Sequence, residues 1–385
     1  KYKTNYNNSA NFKAWIDSKD VKGMSYQSSF LPNQPRLNLR NPKVKEYLKS
    51  IIIFWRKLGI DGFRIDMSNA LVNGESVDEY PMFYSDFYKK YIYPKVVYKN
   101  NPFKIALPSD KNPTLFQEAR YTLNTIDNIL VQKEIFEGIY KDLPEGPGII
   151  MGEFIGRPDK QSDYVSFMDA FISQEYLVTN ANPASFKDAI FTLDNDWHDL
   201  NSPAIFLSTH DRSRIFERVK KNMSLFKKYI ALQMMTPGIP FIFNGDEWAQ
   251  DHPKLEKEHI TDALKLRYSF LPSWIKKAIS YIFYKDEVQF RDYVRAPLSW
   301  NSSMSDWNFL DPGLFSSSYK TNNLEEILKD PKSTYYVYKF FTDFRKEYRL
   351  TNPRKSRHFS SEVFGVKFLS QKSEFSLLIS FSKEP

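Results

Sequence analysis

Apolar and polar positions alternate along the chain in a helix-then-strand rhythm. Residues 1 to about 40 show no period and close with FLPNQPRLNL (30–39). Val44, Leu48, Ile51, Ile52, Trp55 and Leu58 then recur at helical spacing. Asn41 suits the cap of this helix, Pro42 its first position and Gly59 its end. The short apolar segment IDGFRID (60–66) follows at once, as in an α/β protein. Helices are expected at about 80–98 and 130–142 within a stretch rich in Tyr, Lys, Asn and Pro. GIIMGEF (148–154), AIFLSTHD (204–211) and residues 239–243 read as further strands, the last stopped by Asn244-Gly245. Their continuous apolar runs suit parallel strands buried on both faces. A helix over about 217–235 would carry Val219, Met223, Phe226, Ile230 and Met234 on one side. After an irregular region at about 249–332, a final helix is expected near 333–349. Beyond Pro353 the period changes to two. EVFGVKFL (362–369) and EFSLLISF (374–381) then read as a hairpin with Gln371-Lys372 near the turn.

Composition narrows the function classes. The chain has 385 residues, 42% apolar and 26% charged, which is a globular profile with room for two or three domains. No apolar run approaches the ~18 residues of a membrane helix. The N-terminal KYKTNYNNSANFKAW has no apolar centre, so it does not read as a signal peptide. With no cysteine, thiol nucleophiles, disulfides and cysteine metal sites are excluded. That suits the cytoplasm without fixing the compartment. The net charge of +8 raises nucleic-acid binding, but the lysines are scattered and form no basic stripe. Aromatic residues reach 16%, enough for a core and for a cleft that stacks on sugar rings.

The candidate chemistry lies in acids at strand ends. IDGFRID ends at Asp66, IIMGE at Glu153 and FLSTHD at Asp211. In a barrel of parallel strands the active site sits at the carboxyl ends, so such acids converge. Alternation places Arg64 and Asp66 on one side of their strand and Phe63 and Ile65 on the other. Two reaction types suit several carboxylates in one cleft. One is retaining glycoside hydrolysis, with a nucleophilic carboxylate and a second acid. The other is divalent-metal chemistry on hard oxygen ligands. The adjacent cation Arg64 favours the first, because it pairs with a carboxylate and competes with a metal. Taken singly, each acid also reads as a helix cap or a solvated loop residue, and His210 as a satisfied structural histidine.

The ordered set resembles glycoside hydrolase family 13, the α-amylase superfamily. GIDGFRID (59–66) resembles the family's nucleophile region, IIMGEF (149–154) its acid/base region, and FLSTHDRSR (206–214) the region of its third acid. TPGIPFIFNGDE (236–247) resembles the last barrel strand. LPNQPRLNLRNPKVKEYL (31–48) and RAPLSW (295–300) are softer matches, the latter to the branches acting on maltose and oligosaccharides. The resemblance implies a (β/α)8 TIM barrel with Asp66 as nucleophile, Glu153 as acid/base and Asp211 as transition-state stabiliser. Arg64 would orient Asp66, and His210 would bind a sugar hydroxyl. The spacing between Glu153 and Asp211 leaves an intervening strand near SFMDAFI (166–172). The implied ligand is an α-glucan or oligosaccharide, either hydrolysed or transferred through a glycosyl–Asp66 intermediate.

Departures from the family pattern shape the domain reading. The family's first conserved region is not found, and Thr209 replaces the usual asparagine before His210-Asp211. Without that region calcium is not assigned, and no cofactor is called for. Residues 1–40 would be a remnant of the inserted loop domain. Residues 41–352 would be the barrel from strand 4 to helix 8, and 353–385 the start of a C-terminal β-sandwich. The expected partner beyond substrate is a missing N-terminal segment of the same protein. The competing readings are a non-catalytic relative serving as a binding or transporter-associated scaffold, and an unrelated metal-dependent α/β enzyme.

Overall fold

A computed structural model describes residues 15–27, 34–72, 126–154, 164–173, 203–235, 238–256, 259, 291–348, 356–359, 363–369 and 374–380. The chain divides into two compact units, Lys1–Phe171 and Ile172–Pro385. The helix expected at about 80–98 lies outside the described residues. Among the described residues, no helix is long and apolar enough to cross a membrane.

In the first unit, β1 (Trp15–Asp17) and β2 (Ser25–Gln27) form an antiparallel pair in a stretch whose sequence shows no period. Helix α1 (Pro42–Lys57) starts where its punctuation predicts. The Asn41 side chain accepts from the Lys43 N–H at 3.0 Å, and Gly59 ends it at φ 95. Trp55 and Leu58, which keep the helical spacing, stand exposed, and Trp55 packs edge-on against Phe54 at 5.3 Å. The helix instead turns Lys45 and Lys49 toward α2 (Ile126–Asp142), where they meet Glu134 and Asp142. The apolar stripe is therefore wider than the face that is covered.

Strand β3 (Gly62–Ile65) pairs in parallel with β4 (Ile149–Phe154), Gly62 opposite Ile149 and Ile65 opposite Gly152. Only glycine permits this approach, since a Cβ at position 62 would lie 2.2 Å from the Ile149 carbonyl oxygen. β5 (Ala170–Ser173) completes the order β3-β4-β5 and overlaps the segment 166–172 expected to hold a strand. β4 is central, with Ile150 and Phe154 buried, and Phe154 meets Tyr164 and Phe171 edge-on at 4.9 and 5.2 Å. β3 is only half-buried, contrary to the expectation for a strand covered on both faces, and among the described strands it lies at the edge of this sheet.

In the second unit, β6 (Ala204–Phe206) pairs in parallel with β7 (Ile239–Phe241). The helix expected over 217–235 is two helices, α3 (Ile215–Arg218) and α4 (Met223–Met235). Lys220 and Lys221 break it by taking left-handed backbone angles, φ 55 and 57. Asn222 then restarts it, its side chain accepting from the Leu225 N–H at 3.0 Å. Two short helices follow, α5 (Arg291–Val294) and α6 (Leu324–Ile327), and then α7 (Thr334–Tyr348). Arg345 of α7 donates at 2.6 Å to the Met234 carbonyl in the last turn of α4 and at 2.7 Å to the Gly238 carbonyl just before β7. The expected hairpin is present as β9 (Val363–Leu369) and β10 (Glu374–Ser380), and β8 (Ser356–Phe359) adds a third antiparallel strand. Phe375 of β10 packs on Phe344 and Tyr348 of α7.

A polar knot ties the loop after β7 to the break between α3 and α4. The buried Asp251 carboxylate accepts from Lys221 at 2.7 Å, Ser317 at 2.6 Å and Ser318 at 2.9 Å, and from Ser316. Burial alone would raise its pKa, but Lys221 and the three serines outweigh that and lower it to about 2. The native carboxyl thus holds its proton less tightly than the unfolded one, whose pKa is about 3.9. The resulting stabilisation is full above about pH 4 and is lost as pH falls toward 2. Asp251→Asn should lower the urea midpoint at pH 7, and the gap to the parent should shrink below about pH 4. An undiminished gap under acid would contradict this.

Candidate active site

The register of β3 and β4 brings the first two acids together. Ile65 lies opposite Gly152, so the next step along each strand sets Asp66 beside Glu153. Parallel neighbours are about 4.8 Å apart, so two carboxylates at this level are close. Arg64 bridges them. Its Nη1 meets Asp66 Oδ1 at 2.6 Å, and its Nη2 meets Glu153 Oε2 at 2.7 Å. Burial opposes the guanidinium charge, but Glu153 and Asp66 outweigh it, and the Arg64 pKa is raised. The two acids differ in setting. The Glu153 side chain is 6% exposed and also accepts from the Met67 N–H at 3.3 Å, whereas Asp66 is 69% exposed. One carboxylate is enclosed and the other is open to an incoming ligand.

The turn after β3 is held from below by buried polar side chains that sequence reasoning missed. Asn128 of α2 donates to the Ser68 carbonyl at 2.8 Å and to the Tyr164 hydroxyl at 2.7 Å. It also accepts from the Val72 N–H at 2.9 Å, and Gln132 donates to the same Ser68 carbonyl at 2.7 Å. The signal was available. Asn128 and Gln132 are polar residues four apart on a helix face that also buries Val131, Ile135 and Ile139.

In the second unit His210 and Asp211 follow β6 and lie together, with His210 Nε2 3.3 Å from Asp211 Oδ2. Thr209, which departs from the family pattern, accepts from the Asp211 N–H at 3.2 Å and so shapes the turn. Arg295 grips both residues. Its Nη2 meets Asp211 Oδ1 at 2.8 Å, and its Nε donates to the His210 carbonyl at 3.1 Å. Arg291 adds a longer contact to Asp211 at 3.5 Å. The RAPLSW segment had marked Arg295 without giving it a role. Below this turn a buried ion pair joins Arg214 to Asp246 at 3.1 Å, with Phe243 under the guanidinium at 4.7 Å. Burial pushes the Asp246 carboxyl up to about 6 against the pull of Arg214. Among the described residues, no three His, Asp or Glu side chains cluster as a metal site would require.

Comparison with known proteins gives the family and the fold. The profile described as "Alpha amylase, catalytic domain" matches residues 2–353. The chain belongs to the alpha-amylase family. An oligo-1,6-glucosidase of Parageobacillus thermoglucosidasius is 24% identical over 87% of this chain and 58% of its own length. An alpha-glucosidase of Schizosaccharomyces pombe is 24% identical over 90% of this chain and 61% of its own length. Maltase A1 of Drosophila melanogaster is 23% identical over 89% and 57%. The chain thus spans less than two thirds of these relatives. Among solved structures, a trehalulose synthase mutant gives a TM-score of 0.76 at 20% identity, over 99% of this chain and 68% of that one. Trehalose-6-phosphate hydrolase of Bacillus licheniformis gives 0.70 at 18%, over 98% and 66%. As an alpha-amylase family member, the chain has the TIM-barrel type of α/β fold.

The support beneath the β3 turn is testable by itself. Asn128→Ala removes at least three hydrogen bonds from a buried site and should cost about 1–3 kcal/mol of unfolding free energy in urea. A change near zero would show that the turn holds itself.

Proposed function

We propose that the protein to which this chain belongs is a retaining α-glycosidase acting on α-linked glucose units of malto-oligosaccharides or related α-glucans. The observation that carries this reading is the Arg64 guanidinium shared by Asp66 and Glu153 at the ends of adjacent strands. A retaining site needs two carboxyl groups about 5–5.5 Å apart, and two acids on neighbouring strands that share one guanidinium suit that requirement. The relatives named oligo-1,6-glucosidase, alpha-glucosidase and maltase support the substrate class.

Asp66, the open carboxylate, attacks the anomeric carbon. The bond to the glycosidic oxygen breaks, and Glu153 gives that oxygen its proton, leaving a glycosyl ester on Asp66. Glu153, now a carboxylate, takes a proton from water or from a sugar hydroxyl. That oxygen attacks the anomeric carbon and frees Asp66. Two inversions give net retention. Arg64 orients Asp66 and releases Glu153 when that carboxyl carries its proton. Asp211 binds sugar hydroxyls and favours the distorted ring, His210 binds a hydroxyl beside it, and Arg295 holds both in place. In the domain layout we infer, residues 41–352 are the barrel portion and 353–385 the start of a C-terminal β domain.

Maltotriose hydrolysis followed by proton NMR tests the reading. The first glucose released should be the α-anomer, and Asp66→Asn should lower kcat by at least about a thousandfold with an unchanged melting temperature. A β-anomer product, or full turnover by Asp66→Asn, would overturn it.

A further inference from the structure

The segment that grips Asp211 continues into a rigid loop with an exposed aromatic. Asn301 Oδ1 accepts from the Ser303 N–H at 3.1 Å, the Ser303 hydroxyl at 2.7 Å and the Met304 N–H at 2.8 Å. Met304 is buried and takes a left-handed φ of 51. The Trp307 N–H donates to its carbonyl at 2.9 Å, and the Leu310 N–H to the Trp307 carbonyl at 2.9 Å. The Trp307 indole N–H donates to the Leu298 carbonyl at 3.0 Å, which fixes the plane of the ring. Phe309 does the opposite of what an apolar ring does in water. It is 73% exposed, the highest value among the large apolar side chains described. Its centroid lies 6.1 Å from that of Trp307, with 52° between the planes.

A lone exposed apolar residue needs no explanation. This one stands on a locked loop beside a second ring, with exposed Asp306 and Asn308 around it. Leu298, which anchors Trp307, follows Arg295 by three residues, a reach of at most about 10 Å. The aromatic pair and the Asp211 grip therefore share one short segment of the second unit.

We propose that Trp307 and Phe309 form a stacking platform for an α-1,4-linked glucan, a binding site additional to the catalytic acids. The proposal rests on the α-glucan reading above. A pyranose ring offers an apolar C–H face to an aromatic plane and hydroxyls to polar groups at its rim. An α-1,4-linked chain curves, so successive sugar faces are tilted, as these two rings are. A flat β-linked chain would meet only one of them. Because the loop is held in advance, binding orders little that was mobile.

The test is calorimetric titration of the full chain with maltoheptaose and with cellohexaose. An Asp66→Asn background keeps the ligand intact. Phe309→Ala should weaken maltoheptaose binding about tenfold, while Phe309→Tyr keeps it. Cellohexaose should bind weakly and equally to all three proteins. Matching melting temperatures would show that the exposed substitution leaves the fold intact. Equal maltoheptaose affinity in Phe309→Ala, or no maltoheptaose binding by the Asp66→Asn parent, would overturn the platform. So would a Phe309-dependent cellohexaose site as strong as that for maltoheptaose. The catalytic reading is scored separately by turnover. A chain that binds maltoheptaose through Phe309 yet hydrolyses nothing would retain the platform and lose the retaining mechanism.

Discussion

One guanidinium stands between two carboxylates that end neighbouring strands, and the chemistry of the first unit follows from that contact. Arg64 reaches Asp66 along its own strand and Glu153 across the sheet. The contact across the sheet depends on the register that sets Ile65 opposite Gly152. A slip of one residue would turn Arg64 and Asp66 together to the other face and part both from Glu153. Gly62 protects that register, because any side chain there would strike the Ile149 carbonyl. Asn128 and Gln132 protect it from below by holding the turn that follows.

The second unit solves a similar problem with different parts. Asp211 lies on a turn after its strand, and Arg295, distant in sequence, clasps both Asp211 and the His210 carbonyl. Beneath the turn, the Arg214–Asp246 pair is nearly sealed from water and ties the segment after β6 to the turn after β7. Burying such a pair is costly, and breaking it would cost more, since a lone charge would remain inside. Arginine serves in each place because its fork can hold two oxygens at fixed angles.

Much of this was legible in the sequence where a local rule acts. Asn41, Pro42 and Gly59 bound α1 as expected, and Arg64 and Asp66 share a side as strand alternation requires. The strand-end acids Asp66 and Glu153 stood out as an ordered set with their flanking residues, since either one alone also reads as a cap or a solvated loop residue. Features that depend on distant partners were not legible. Trp55 and Leu58 keep helical spacing yet stand exposed, while α1 turns Lys45 and Lys49 toward α2. The break at Lys220 and Lys221 has no glycine or proline to announce it, and Lys221 is tied instead to Asp251. Arg295 lay in a noticed segment, but nothing local shows that it reaches Asp211.

The central claim is that Asp66 is the group that bonds to the sugar. The most direct measurement is peptide mass analysis after reaction with 5-fluoro-α-glucosyl fluoride, which forms the glycosyl ester but releases it slowly. The account predicts a single fluoroglucosyl adduct on the peptide containing GIDGFRID, fragmenting to Asp66. An adduct on any other residue, or maltotriose turnover with no adduct at Asp66, would contradict it.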